Sequence, residues 1–126
     1  ALLLITHNLG IVAEVAHQVA VMYAGQIVEH TAVDDLFARP SHPYTLGLLN
    51  ALPARARRGR ALAVIPGAVP SPLEFPAGCK FHPRCPFAAD RCRAEPPPLA
   101  AVAADHQAAC FYAADVHSGH KSWPTR

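Results

Sequence analysis

The sequence predicts a mixed α/β chain, regular over residues 1–39 and irregular, proline- and cysteine-rich beyond. Three observations carry that expectation. Ala1-Leu2-Leu3-Leu4-Ile5 is an unbroken apolar run that suits a strand buried on both faces. All 13 prolines lie at or after Pro40. All 4 cysteines lie between Cys79 and Cys110, which marks a segment in need of a staple. A chain of 126 residues can bury one modest core, and 52% hydrophobic against 16% charged residues argues against a solvated, disordered polymer. The net charge of +2 is too mild for a nucleic-acid partner. No apolar run approaches the length that crosses a bilayer. A strand buried on both faces needs neighbours, and the chain opens at Ala1 in mid-strand, so it is expected to be the C-terminal piece of something longer.

The elements follow in order. After the strand Ala1 to Ile5, Thr6-His7-Asn8 is a polar corner in which Asn8 can cap a helix. Leu9, Val12, Ala13 and Ala16 recur at helical spacing, with Glu14 and Gln18 outward. Val19 to Tyr23 and Gln26 to Glu29 read as two strands around an Ala24-Gly25 turn. Thr31 with Asp34 suggests a capping box for a short helix reaching Ala38. Pro43 then suits the first turn of a helix over Tyr44 to Leu52, with Leu46, Leu49 and Leu52 as its stripe. Pro53 to Pro76 reads as a linker in which Ala61 to Ile65 adds a short strand. Its Arg55, Arg57, Arg58 and Arg60 read as a solvated face rather than a phosphate site. Residues 114–126 read as a disordered tail carrying Trp123 alone.

Two groups of residues can carry chemistry. His7 closes the first strand, where open α/β sheets place their ligands, and a histidine there can hydrogen-bond a phosphate and hold an attacking water. A lone His is also compatible with a simple capping corner. Cys79, Cys85, Cys92 and Cys110 have five, six and seventeen residues between successive members. That spacing lacks the paired knuckles of structural zinc, and Cys85-Pro86 is a step common beside iron–sulfur clusters. Iron–sulfur, zinc, disulfide and free cysteines all stay open on spacing alone. Lys80, Arg84, Arg91 and Arg93 would offset an anionic group, and His82 and His106 are near enough to substitute as ligands. His42-Pro43-Tyr44 reads as structural, because nothing nearby gives His42 an acid–base partner.

The stretch from Leu3 to Ala16, followed by Val19 to Glu29, closely resembles the switch-histidine region of ABC-transporter ATPases. His42-Pro43-Tyr44-Thr45-Leu46-Gly47-Leu48-Leu49, Ile65-Pro66-Gly67-Ala68-Val69-Pro70-Ser71-Pro72 and Gly78-Cys79-Lys80-Phe81-His82-Pro83-Arg84-Cys85-Pro86 narrow the resemblance to the oligopeptide/dipeptide importer subfamily. It covers roughly residues 2 to 112. It implies an α/β fold made of the tail of an ABC-type P-loop ATPase core over 1–39 and an irregular extension over 40–113.

By that resemblance His7 is both catalytic and nucleotide-binding, contacting the γ-phosphate of ATP. Asn8 stands where the family usually has Asp, so the charge-dependent contact of that position is in doubt while the capping role survives. The four cysteines imply a [4Fe–4S] cluster, with zinc as the alternative. The parent implied is the ATP-binding subunit of a peptide importer, using ATP and Mg²⁺. Its partners would be permease subunits and a second ATP-binding subunit, on the cytoplasmic face of the membrane. Neither Lys80 nor Lys121 sits in a phosphate-cradling Gly-Lys-Ser/Thr loop, and no Leu-Ser-Gly-Gly-Gln signature or acidic-tipped strand precedes His7. Alone, the chain is expected not to hydrolyse ATP. A stand-alone metal-binding interaction module and an iron–sulfur redox protein are the competing readings.

Overall fold

The computed structural model describes residues 1–53 and 64–124. The four linker arginines and most of the strand expected over Ala61 to Ile65 lie outside the described residues. In order, the elements are α1 (Leu9–Val15), β1 (Gln18–Tyr23), β2 (Gln26–Ala32), α2 (Val33–Ala38) and α3 (Pro43–Asn50), then α4 (Asp90–Ala94), β3 (Ala100–Ala103), β4 (His106–Ala108) and α5 (Ala113–His117). The strands form one antiparallel sheet in the order β1-β2-β4-β3. Strands from before Pro40 and from between Cys92 and Cys110 therefore share a sheet.

Local chemistry accounts for the first half. The Asn8 side chain accepts hydrogen bonds from the Gly10 and Ile11 amides and starts α1. Leu9, Val12 and Ala16 are its less exposed face. Ala24 and Gly25 both have positive φ, which the two-residue hairpin between β1 and β2 demands. Val21 pairs with Glu29 across the hairpin, and both are buried.

Several expectations fail for identifiable reasons. Residues 1–5 form no strand, and Leu2, Leu3 and Ile5 are almost fully exposed, because no other described strand pairs with them. Thr31 does not cap a helix. It lies inside β2, buried, and α2 starts after Ala32 with no side-chain cap. On α3 the buried side is Pro43, Thr45, Gly47 and Leu49, so Leu49 alone of the expected stripe is fully buried. The tail is not loose either: residues 113–117 form α5, whose Ala113 and Val116 are buried, and Trp123 is only 6% exposed.

The core gathers Val21, Tyr23, Val28, Leu36, Phe81 and Trp123. Tyr23, Tyr44 and Phe81 form an aromatic triangle with centroids 4.7, 5.1 and 5.4 Å apart. Within the expected linker, Ile65 and Pro66 form a strap that Arg84 fastens, donating to the Pro66 carbonyl at 2.7 Å and the Ile65 carbonyl at 3.3 Å. Gly47 is the contact at which strap and tail meet α3. A Cβ there would lie 2.9 Å from Ile65 Cγ1 and from two carbons of the Trp123 ring.

Gly47→Ala is therefore expected to destabilise the fold by about 1–3 kcal/mol through overpacking, despite the better helix propensity of alanine. Denaturant unfolding should show a lower midpoint at unchanged slope. An unaltered midpoint would mean that strap and tail do not seat on α3 as described.

A candidate four-cysteine site

The cysteines reach one place from separate pieces of chain. Cys79 follows Gly78, Cys85 ends a 3-10 turn over His82–Arg84, Cys92 lies in α4, and Cys110 lies just beyond β4. Gly78 has φ +69°, and a Cβ there would lie 2.4 Å from the Cys92 carbonyl oxygen. Only glycine lets the Cys79 amide donate to that carbonyl at 2.8 Å, which ties the first and third cysteines by backbone. All four cysteines line one apolar cavity, with His42, Phe81, His82 and Tyr112 between them. None of the four is in a disulfide.

Backbone amides face the sulfurs. The Tyr112 amide donates to Cys110 Sγ at 3.4 Å, the Phe81 and His82 amides approach Cys79, and the Phe87 amide approaches Cys85. Burial nevertheless dominates and disfavours the thiolates. Cys79 is raised above the ordinary thiol value, Cys85 is pushed up to about 11 and Cys110 to about 12. The other cysteines add to each shift, since neighbouring thiolates repel one another. A bound cation would reverse this balance.

The surrounding charges are not the expected ones. Lys80 donates to the Ala24 carbonyl and lies over the Phe75 ring. Arg84 holds the strap, Arg91 pairs with Glu95 and Arg93 with Asp90. Lys121, in the supposed tail, is the cation that lowers Cys85, and it sits over the rings of Phe87 and Tyr112. His82 and His106 are engaged elsewhere, His82 Nδ1 with the Cys79 carbonyl and His106 Nε2 with Glu29. Among the described residues, no three His, Cys, Asp or Glu side chains are arranged to hold a single metal ion.

His7 is exposed, immediately before the Asn8 cap, and is not among the residues that line the cysteine cavity. The sequence reading missed a buried polar group behind that cavity. Glu29, fully buried in β2, accepts from the Ser41 amide at 2.6 Å, the His42 amide at 3.0 Å and His106 Nε2 at 2.7 Å. Ser41 Oγ lies 2.9 Å from His117 Nδ1, and the His117 ring packs edge-on to His106 at 5.2 Å. The one local signal was a carboxylate following Ile27-Val28 in an apolar strand. His42, 1% exposed, accepts from the Tyr44 amide through Nδ1 at 3.0 Å. Burial lowers it to about 3, so the ring is neutral.

An α/β unit whose His-Pro-Tyr helix and four cysteines enclose one cavity defines a class that comparison with known proteins identifies. The family described as oligopeptide/dipeptide transporter, C-terminal region, matches residues 28–92, and the chain belongs to it. It is 51% identical over 115 residues to the dipeptide transport ATP-binding protein DppD of Escherichia coli (strain K12), covering 91% of this chain and 35% of that protein. It is 52% identical over 118 residues to a protein of Sinorhizobium fredii named "Probable peptide ABC transporter ATP-binding protein y4tR", covering 92% and 35%. The chain thus spans about a third of the length of these curated relatives.

The thiol shifts have a consequence for stability in chelator-treated, reduced protein. The folded values of Cys85 and Cys110 lie above the ordinary 9.0, so above that pH the unfolded chain releases protons more readily than the folded one. Stability is expected to fall as pH rises from about 9 through about 11. Denaturant midpoints across that range check the fall, which should shrink in Cys110→Ala. A rise over the same range would contradict burial as the dominant cause.

Proposed function

We propose that this chain is the C-terminal part of the ATP-binding subunit of a peptide ABC importer. The observation that carries the proposal is the continuous similarity, over 91% of the chain, to a dipeptide transport ATP-binding protein, together with the family match. In this reading residues 1–39 are the tail of the ATPase core, and residues 40–113 are the extension particular to peptide importers. The partners are permease subunits and a second ATP-binding subunit, with the assembly on the cytoplasmic face of the membrane. No helix among the described residues is long and apolar enough to cross a bilayer, which fits a peripheral role. The stand-alone module gives way to this reading, since it leaves the similarity outside the cysteine segment unexplained.

His7 is the residue of this chain assigned to the ATP site. Asn8 fixes the corner that follows the apolar run by capping α1, leaving the His7 imidazole free at its end. There it can donate to a terminal phosphate oxygen and orient the attacking water. Lys80 and Lys121 are committed to the cysteine segment and supply no phosphate cradle. Binding energy for ATP and Mg²⁺ must come from other parts of the subunit.

The four cysteines that line the cavity are the donors that a group held by four thiolates requires. Backbone amides approach the sulfurs of Cys79, Cys85 and Cys110. We assign Cys79, Cys85, Cys92 and Cys110 as holders of a [4Fe–4S] cluster. What such a group supplies when bound is binding free energy that orders a proline-rich segment unable to bury much apolar surface itself.

In the intact subunit, His7→Ala should lower kcat for ATP hydrolysis by about 100-fold or more with little change in ATP affinity, the signature of an interaction made in the transition state. A proportional loss of ATP affinity would remove the assignment. Anaerobically purified protein should carry about four iron and four sulfide per chain with a visible charge-transfer band. Stoichiometric zinc without iron would move the site to the structural-zinc reading. The isolated chain should show no micromolar ATP binding.

A further inference from the structure

The tail of the chain delivers a lysine to the wall of the cysteine cavity. After α5 the backbone reverses through Gly119, at φ +80°, and the Lys121 amide donates to the Asp115 carbonyl at 3.0 Å. Val116 before this turn and Trp123 after it are buried, so the loop that carries Lys121 is anchored on both sides. The Lys121 ammonium lies 4.8 Å from the centroid of the Tyr112 ring and 5.5 Å from that of Phe87.

Those two rings belong to different arms of the cysteine set. Phe87 follows Cys85 by two residues, and Tyr112 follows Cys110 by two. Tyr112 also lines the cavity, and its amide donates to Cys110 Sγ at 3.4 Å. One ammonium thus joins two stretches of chain far apart in sequence through cation–π contacts. An apolar side chain could bridge two rings as well, so the charge calls for a reason of its own.

The other cations near the cysteines are committed in ways that Lys121 is not. Arg91 lies 4.0 Å over Phe111, another ring that lines the cavity, yet its guanidinium is paired with Glu95. Arg93 is paired with Asp90. Lys80 and Arg84 donate to backbone carbonyls, and the rings beneath them, Phe75 and Tyr23, do not line the cavity. None of the ion pairs among the described residues involves Lys121. Its positive charge therefore stands without a carboxylate partner there, on the wall of an apolar cavity lined by four thiols. Charges act strongly on one another in such surroundings.

We infer that Lys121 is a positioning residue for the four-cysteine site: seated on Phe87 and Tyr112, it clamps the Cys85 and Cys110 arms together and offsets the negative charge of the group they hold. The inference rests on the proposed [4Fe–4S] assignment and gives the tail, beyond the last cysteine, a part in that site. Four thiolates leave such a group anionic, and uptake of one electron adds a further negative charge. A neighbouring cation favours the reduced form, so removing the cation lowers the reduction potential.

Two substitutions separate charge from bulk. Lys121→Met removes the charge and keeps a long apolar stem against the rings, whereas Lys121→Arg keeps both charge and ring contact. Wild-type and variant intact proteins are purified anaerobically and assayed for iron and sulfide. Each is then titrated with dithionite, which supplies the electron, in the presence of redox mediators while visible absorbance is followed.

Lys121→Met should keep its iron and show an equilibrium constant for one-electron reduction about tenfold lower than wild type, a fall of about 59 mV. Lys121→Arg should stay within about threefold of wild type. Iron lost from Lys121→Met but kept by Lys121→Arg would support the same conclusion, since charge would then decide whether the anionic group stays bound. A fall of less than about threefold in Lys121→Met, a comparable fall in both variants, or loss of iron from both would each overturn the inference. Wild-type protein without iron is a distinct result: it would defeat the cluster assignment and remove this inference with it.

Discussion

The buried carboxylate of Glu29 is where three stretches of chain far apart in sequence are joined. It sits in the second strand of the hairpin and binds the Ser41 and His42 amides at the start of α3, and through His106 it binds β4. Burying a carboxylate is costly unless its oxygens are well bonded, and here three donors meet two oxygens at 2.6 to 3.0 Å. The arrangement is therefore directional: it fixes where α3 begins and in which register β4 lies on β2. Apolar contacts around Tyr23, Tyr44 and Phe81 supply the bulk of the burial but specify position less sharply.

The cysteine cavity depends on that joint more than on its own segment. Between Pro66 and Pro98 the regular structure is a short 3-10 turn and the five residues of α4, and Leu73 and Val69 are exposed. Such a stretch cannot order itself by burial. It is tied instead at discrete points: Gly78 against Cys92, Arg84 against the strap, Lys80 against the hairpin turn, and Cys110 against β2 through Ala109. The tail adds two further ties, with the Lys121 charge acting on Cys85 and Trp123 packed over Gly47. A group bound by four thiolates would add the one cross-link that this set lacks.

What the sequence revealed was what local chemistry decides. The Asn8 cap, the Ala24-Gly25 turn and Pro43 at the start of α3 each follow from backbone preferences of one or two residues. Four thiols in a proline-rich segment also suggested a common site, and the four do line one cavity, although their spacing alone left disulfide and free cysteines open. Long-range pairing decided the rest. Nothing near Ala100 or His106 announces that these residues join the hairpin as strands, and nothing near Glu29 announces partners 12 and 77 residues away. The apolar run at 1–5 reads as a strand by composition, yet a strand exists only with a neighbour. Thr31 matched a capping pattern whose helix begins elsewhere, and the polar composition of the last residues concealed the anchoring role of Trp123.

The central claim is that Glu29 and His106 act as one coupled, buried pair that registers the extension on the sheet. A double-mutant cycle of Glu29→Gln and His106→Gln, read by denaturant unfolding of the intact protein, addresses it directly. Each single change is expected to cost about 3 kcal/mol, as removal of one partner from a buried charged hydrogen bond does. The double change should cost less than their sum by about 1.5 kcal/mol or more, because the second change removes a partner already lost. Costs that add within about 0.5 kcal/mol would show two independent residues and would contradict the account.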